Sequence, residues 1–299
     1  MPAEGLDWLP TEETLTDDEL IRLISIAVET LGIRDVRFTG GEPLLRRSLP
    51  AIVAATKALP SKPRTAMTSN GLGLKYTAKA LAAAGLDRVN ISLDTVDPEV
   101  FKRITRRDRL ADVITGLEAA RAAGLAPVKV NAVLLRDIND QGAPDLLRWC
   151  MDHGYELRFI EQMPLDAQHG WNRAAMVTAD ESLTLLGEHF RLTPMDGRGS
   201  APAEKFLVDD GPHTVGIIGS VTRPFCGDCN RVRLTADGQI RNCLFAREES
   251  DLRSAMRAGA SDAELAERWR KAMWVKLPGH GINDPEFLQP TRSMSAIGG

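Results

Sequence analysis

Asp35-Val-Arg-Phe-Thr-Gly-Gly-Glu-Pro43 opens as an apolar and β-favouring run, then breaks at two glycines and a proline. Such a run followed by that punctuation reads as a strand over about 35–39 that ends in a tight turn. The same figure recurs down the chain. Strands are predicted at Arg64–Thr68, Arg88–Ser92, Val128–Leu134 and Glu156–Ile160. Helices are predicted between them at Pro50–Leu59, Ala78–Ala84, Asp112–Ala123 and Pro144–His153. A first helix precedes them all: Thr16 and Glu19 make a capping box, and Leu20, Leu23, Ile24, Ala27, Val28 and Leu31 repeat at helical spacing up to Gly32. Serial strand–helix alternation implies a parallel sheet or barrel.

Polar residues in this region keep to one place. Thr39-Gly-Gly-Glu-Pro43, Thr68-Ser-Asn70, Ser92-Leu-Asp94, Lys129-Val-Asn131 and Glu161-Gln-Met163 lie on or just after successive predicted strands, mostly at the C-terminal end. In a parallel barrel those ends share the face that carries chemistry. For any one residue a helix cap or turn is an equal explanation. Five in register are harder to dismiss. The glycine pair lets a ligand approach the backbone closely, and the Glu42 carboxylate beside it suits an ammonium group. Lys129 interrupts an apolar strand, where an unpaired ammonium is costly to bury. It reads either as an anion contact in the barrel mouth or as the partner of a carboxylate such as Glu161.

The hydrophobic fraction of 43%, the charged fraction of 26% and the net charge of −4 over 299 residues are those of an ordinary globular chain. That charge argues against a nucleic-acid partner, and any nucleotide site has to be a local cationic patch. No run of apolar residues is long enough to span a membrane, and four cysteines do not make a secreted disulfide framework, so a reducing cytoplasm fits. Cys150 lies in a predicted helix and reads as a small core residue.

After Pro164 glycine and proline become frequent. Hairpin-like pieces appear at Lys205–Val208, Thr214–Ile218 and Arg231–Thr235, with turns at Asp210-Gly211 and Asp237-Gly238. A charged helix is expected at Asp262–Met273. The change divides the chain into a barrel portion, 1–185, and a smaller lobe, 186–299. That lobe holds Cys226-x2-Cys229-x13-Cys243, followed after Cys229 by Arg231 and Arg233. Three thiolates suit an iron-sulfur cluster with one iron left open, or a zinc site completed by His213 or His280, and spacing alone does not choose. Arg231 and Arg233 alternate along a predicted strand, so both point one way with Val232 turned aside, as a fork for phosphate or carboxylate.

These blocks taken together resemble a known family. Phe38-Thr-Gly-Gly-Glu-Pro-Leu-Leu-Arg46, Thr68-Ser-Asn-Gly71, Val89-Asn-Ile-Ser-Leu-Asp94, Val128-Lys-Val-Asn131, Leu157-Arg-Phe-Ile-Glu161 and Phe225-Cys-Gly-Asp-Cys-Asn-Arg-Val-Arg-Leu-Thr235 are similar to successive blocks of the MoaA family. Its members are radical S-adenosylmethionine (SAM) enzymes, GTP 3',8-cyclases of molybdenum cofactor biosynthesis. The ending Met294-Ser-Ala-Ile-Gly-Gly299 resembles the family's double-glycine terminus. The resemblance implies an α/β fold: an incomplete, six-stranded-type TIM-like radical SAM barrel with a smaller C-terminal iron-sulfur lobe. It implies a [4Fe-4S] cluster on Cys226, Cys229 and Cys243. It implies SAM contacts at Gly41, Ser92 and Met163, and GTP contacts at Arg37, Thr68, Lys129, Arg231, Val232 and Arg233. In the family a 5'-deoxyadenosyl radical takes the C3' hydrogen of GTP, and the ribose radical attacks C8 of guanine to give 3',8-cyclo-7,8-dihydro-GTP. A homodimer, a reductant and a downstream cyclic pyranopterin monophosphate synthase are implied as well.

One family feature is missing. The first [4Fe-4S] cluster, which cleaves SAM, needs a Cys-x3-Cys-x2-Cys loop, and that spacing does not occur in this sequence. In the family the third of those cysteines is followed by Met-Pro and a segment like Glu4-Gly-Leu-Asp-Trp-Leu-Pro10, which is how this chain opens. The expectation is therefore a fragment or a misplaced start of a cyclase. The alternative is a non-catalytic remnant that binds GTP and a metal.

Overall fold

The computed structural model describes residues 9–297. The Gly298-Gly299 terminus and the Met1-Pro2 opening lie outside the described residues. The centre is an eight-stranded sheet built from β1 (Asp35–Phe38), β2 (Arg64–Ser69), β3 (Arg88–Ser92), β4 (Val128–Val133), β5 (Glu156–Ile160), β6 (Leu192–Pro194), β7 (Glu204–Val208) and β8 (Thr214–Ile218). The strand order is β1-β2-β3-β4-β5-β8-β7-β6. The run from β1 to β5 and on to β8 is parallel, and β7 and β6 then add antiparallel. Six parallel strands in an open sheet are a partial barrel, as expected. The sheet runs across residues 185 and 186, with β6 to β8 in the same sheet as β1 to β5.

Helices α1 (Asp17–Ser25), α2 (Leu49–Lys57), α3 (Leu74–Ala83), α4 (Pro98–Thr105), α5 (Leu110–Ala122), α6 (Ala143–Asp152) and α7 (Ala179–Gly187) alternate with the strands. The Thr16–Glu19 capping box opens α1 as its sequence predicts. Of these seven, α4 and α7 were not anticipated, nor were the short α8 (Arg253–Arg257) and α10 (Met294–Ile297) further on. Asp97 caps α4, whose first residue is Pro98, and a Thr178–Glu181 capping box opens α7. Both carry standard N-terminal signals.

Period-two alternation decides which face of the sheet does what. Phe38, Met67, Val89, Ile91, Val130, Leu157, Phe159, Val215 and Ile217 all belong to the main core, on the face the helices cover. Met67, Val89, Ile91 and Val130 are wholly buried, each stabilising the fold by about 1.5–3 kcal/mol. The other face carries most of the polar residues, Arg37, Thr68, Arg88, Asn90, Ser92, Lys129, Asn131, Glu156 and Arg158, with Ala66, Val133 and Ile160 among them. Registry places them side by side across neighbouring strands. A closed TIM barrel fills its interior with branched apolar layers. This one leaves its interior polar and cationic.

A second, three-stranded sheet is formed by β9 (Arg233–Leu234), β10 (Gln239–Arg241) and β11 (Ser250–Asp251). With α8 (Arg253–Arg257) and α9 (Asp262–Trp274) it packs a separate apolar cluster around Leu15, Leu23, Ile240, Leu252 and Trp269. The expected strand over 231–235 shortens to two residues, and Arg231 lies before it. A last helix, α10 (Met294–Ile297), closes the described chain. Among the described residues no helix is long and apolar enough to cross a membrane.

Candidate functional site

The barrel interior is organised around Arg158 of β5, which is 8% exposed. Its Nε donates to Asn131 Oδ1 at 2.9 Å and its Nη2 to Asn90 Oδ1 at 3.0 Å. Asn90 Nδ2 in turn donates to Thr68 Oγ1 at 3.1 Å. Gly216 makes room for this arginine: a Cβ there would stand 2.9 Å from Arg158 Cγ. Burial, then the nearby charges of Arg37 and Arg88, pull the Arg158 pKa down to about 10. Arg37 is lowered by burial and by Arg88 and Arg231. Arg233 is lowered to about 10 by burial first, then by Arg231, with Arg37 contributing. Desolvation is the largest cause of each shift, and the repulsion among these cations adds to it.

Lys129 Nζ pairs with Glu156 Oε2 at 2.6 Å, and Lys205 Nζ approaches the same oxygen at 3.7 Å. Burial lowers the Lys129 pKa, and the Glu156 contact opposes that. The expected partner, Glu161, is engaged elsewhere. Its carboxylate accepts the backbone N–H groups of Ala179 (2.7 Å), Val221 (2.7 Å) and Thr222 (2.9 Å), and the Thr222 hydroxyl. Glu161 therefore fastens the end of β5 to the start of α7 and to the segment after β8, while Glu156, at the start of the same strand, is the residue that registry sets opposite Lys129.

At the C-terminal strand ends opens a cavity of about 670 Å³, lined by Gly41, Ser92 and Thr68 among others. Gly40 there has φ +125°, a conformation closed to side-chain-bearing residues. Glu42 holds the turn in place. Its Oε1 accepts from Leu44 N at 3.0 Å and Ser69 Oγ at 2.8 Å, and its Oε2 from Asn70 N at 2.8 Å. Its carboxylate thus serves mainly to shape the loop, and a ligand ammonium would meet the backbone beside it. Met163, expected beside Gly41 and Ser92, is not in the lining of this cavity and packs instead, partly buried, against the apolar cluster of Leu165, Met176, Val221 and Phe245.

The three cysteines of the lobe are free and half-buried. Arg231 Nη2 donates to Cys229 Sγ at 3.3 Å, and Lys276 Nζ donates to the same sulfur at 3.4 Å. Arg231 also lies over the Phe225 ring, 4.7 Å from its centroid. These contacts hold it off the strand that its spacing predicted. Burial opposes ionisation of Cys229, but the hydrogen bonds and charges of Arg231 and Lys276 outweigh it and lower the pKa. Cys226 is raised, first by burial and then by the neighbouring Cys243. Val232 packs into the lobe's apolar cluster, away from both arginines' charges.

Among the described residues no group of three or more His, Cys, Asp or Glu side chains is placed to hold a single metal ion. His280, one candidate fourth ligand, has both ring nitrogens engaged: Nε2 with Ser220 O at 3.0 Å, and Nδ1 with Ile282 N at 3.2 Å. A cubane takes one thiolate per iron, so its ligands stand farther apart than those of one ion. Three thiols with two cations donating to one sulfur fit such an anionic cluster. The donor set for a SAM-cleaving cluster does not fit. The remaining cysteine, Cys150, is 0% exposed inside α6, and burial raises its pKa.

Sequence reading passed over Arg88, Arg158, Lys276 and Phe225. Arg158 left the same trace as Lys129, a charge alternating with apolar residues on one strand. Lys276 left none, because its approach to Cys229 depends on how the segment after α9 folds back.

Two family models divide the chain between them. Residues 7–150 match the Radical SAM superfamily and residues 155–282 match Molybdenum Cofactor Synthesis C. In fold, the chain resembles the solved structure of native anSMEcpe with bound AdoMet, with a TM-score of 0.59 over 90% of this chain and 74% of that one at 13% identity. The class is thus a radical SAM protein with a molybdenum-cofactor C-terminal portion. A GTP 3',8-cyclase of Streptomyces coelicolor (strain ATCC BAA-471 / A3(2) / M145) is 63% identical over 301 residues, covering 100% of this chain and 88% of its own. That of Mycobacterium sp. (strain KMS) is 62% identical, covering 100% and 86%. That of Mycolicibacterium smegmatis (strain ATCC 700084 / mc(2)155) is 59% identical, covering 100% and 84%. The chain belongs to the GTP 3',8-cyclase family of radical SAM enzymes in molybdenum cofactor biosynthesis.

Proposed function

We propose that the chain holds GTP in its cationic barrel interior, with guanine toward Cys226, Cys229 and Cys243 and the triphosphate among Arg37, Lys129, Arg231 and Arg233. The reading rests on one observation: Arg37, Arg158, Arg231 and Arg233 gather on the inner face beside the thiols, where desolvation first and then their neighbours' charges lower the pKa of Arg37, Arg158 and Arg233. When bound, an open-iron [4Fe-4S] cluster supplies a Lewis-acidic anchor for the base. Arg231 and Lys276 donate to the Cys229 sulfur and favour its ionised form. Thr68, fixed by Asn90, presents a hydroxyl near the ribose, and Val232 takes its place at the lobe's apolar boundary. Gly41 and Ser92 line the cavity proposed for SAM. From family membership we carry further parts of the proposal: a homodimer, an electron donor, and a synthase that consumes the cyclised product.

The reaction proposed is the family's SAM-dependent conversion of GTP to 3',8-cyclo-7,8-dihydro-GTP. This sequence has no ligand set for the SAM-cleaving cluster, so no step of SAM cleavage is assigned to its residues. A second reading is GTP and cluster binding without turnover.

Titration of the anaerobically reconstituted full chain with GTP and ATP tests the first part. Tighter binding of GTP is expected, because guanine offers an iron the O6 oxygen beside N1, where adenine carries a 6-amino group. Equal affinity for both would remove the base-to-cluster arrangement. Incubation with SAM and dithionite separates the two readings: 5'-deoxyadenosine formed with GTP supports turnover, and GTP bound without it supports the binding-only form.

A further inference from the structure

The described C-terminal segment reaches both halves of the site: two of its residues grip the wall at Leu165 and Asp166, and a third reaches the lobe. Gln289 Nε2 donates to Asp166 O at 3.0 Å. Met294 N donates to Leu165 O at 2.8 Å. Leu165, Asp166, Ser293 and Ser295 line the same cavity as Gly41 and Ser92. Between these anchors stands Arg292, which reaches the other way. Its Nη1 and Nη2 donate to Asp237 Oδ1 at 2.9 Å and Oδ2 at 2.7 Å, a two-pronged pair. Its Nη2 also lies 3.0 Å from Glu249 Oε2.

Those carboxylates are not ordinary surface groups. Side-chain exposure is 10% for Asp237 and 16% for Glu249. Asp237 forms the β9–β10 turn, where it also takes the Thr235 hydroxyl at 2.6 Å. Glu249 immediately precedes β11, and its Oε1 accepts from Arg241 Nη1 at 2.5 Å. Arg241, 1% exposed, ends β10 and also donates to Ala246 O. Arg241 and Glu249 thus close the base of the loop 242–249, and Cys243 rides on that loop. Arg292 ties this closure to the wall of the other cavity. Bidentate arginine–carboxylate pairs hold geometry as well as charge, so the tie resists both sliding and rotation.

We propose that Arg292 is a positioning residue, a strut that couples the wall of the cavity at the strand ends to the loop bearing Cys243. The coupling itself needs neither ligand. Only its effect on SAM rests on the functional reading above.

Hydrogen exchange on the full chain, without GTP or SAM, tests the strut. In Arg292→Gln, peptides covering 242–249 and 286–297 should both exchange about tenfold faster, while 128–133 in the main sheet is unchanged. Arg292→Lys keeps a charge but loses the fork, and should accelerate both segments about threefold. The lysine variant carries the test if the glutamine variant does not fold. No change, or acceleration confined to 286–297, overturns the proposal. Equilibrium dialysis with SAM adds a functional arm: affinity should fall about tenfold in Arg292→Gln and recover to within about threefold in Arg292→Lys. Unaltered SAM affinity in the glutamine variant would overturn the link to that cavity. If the unmodified chain binds no SAM, the SAM assignment fails, and the exchange experiment still decides the strut.

Discussion

Lys129 Nζ and Glu156 Oε2 meet at 2.6 Å because strand registry sets the two residues directly opposite one another on β4 and β5. The pair keeps an ammonium inside a polar barrel at tolerable cost and holds it ready for a stronger anion. Lys205 shares the same carboxylate.

Replacing Lys129 with Met should weaken GTP binding by about 1.5–3 kcal/mol, the range for a hydrogen bond to a charged group. Glu156→Gln should act oppositely, since it removes the competing carboxylate from both lysines. Calorimetric titration of the two variants checks the pair. Equal weakening in both would show that the ion pair, and not the free ammonium, is what the nucleotide needs.

Arg231→Ala and Arg233→Ala should each weaken GTP by roughly 1.5–3 kcal/mol. Arg231→Ala should also disturb the triad, because it removes a donor to Cys229 and the cation over Phe225. The absorption of the reconstituted chain is therefore expected to change more in Arg231→Ala than in Arg233→Ala. Unaltered affinity in either variant would take that arginine out of the site.

Arg158 is held by two asparagines yet repelled by Arg37 and Arg88. Arg158→Met loses the hydrogen bonds but relieves the repulsion and the burial of charge. The net change in unfolding free energy should stay within about 1 kcal/mol, while GTP binding falls at least about tenfold. Chemical denaturation and titration on one preparation measure both. A loss of stability above about 3 kcal/mol would make Arg158 a structural keystone instead.

Asp94 gives a pH signature. Burial raises its pKa to about 6, with the Val133 N–H at 2.8 Å opposing the rise. The folded chain then binds this proton more tightly than the unfolded one. Stability from this group is gained as pH falls through 6 toward 4, and at neutral pH the charge is a cost. Asp94→Asn should accordingly stabilise the protein at pH 7.5 by about 1–3 kcal/mol, with the advantage gone near pH 4. Urea denaturation at the two pH values decides, and a less stable variant at pH 7.5 would contradict the assignment.

Iron content after anaerobic reconstitution should be about four per chain, and Cys150→Ala should not alter it. Serine at Cys226, Cys229 or Cys243 should reduce it sharply. About eight irons per chain would refute a single cluster.

Much of the fold was legible because its signals are local. The strands at Arg88–Ser92, Glu156–Ile160 and Thr214–Ile218 end where alternation and punctuation place them. Helices α4 and α7 carried equally local caps at Asp97 and Thr178, and were passed over between longer periodic segments. What sequence could not give was registry and fold-back. Glu161 and Glu156 are equally plausible partners for Lys129 on paper, and only strand pairing separates them. Arg231 reads as a strand residue until its contacts with Phe225 and Cys229 are seen. The cysteine spacing marks the triad in the sequence, but the ammonium of Lys276 beside Cys229 comes from a segment distant in the chain.

The main sheet keeps its oily side and its charged side on opposite surfaces of the same strands. Exchanging a lumen residue therefore leaves the helix packing behind it almost untouched. A scaffold divided in this way can be retuned for a different bound anion one side chain at a time, and its descendants need not renegotiate how they fold.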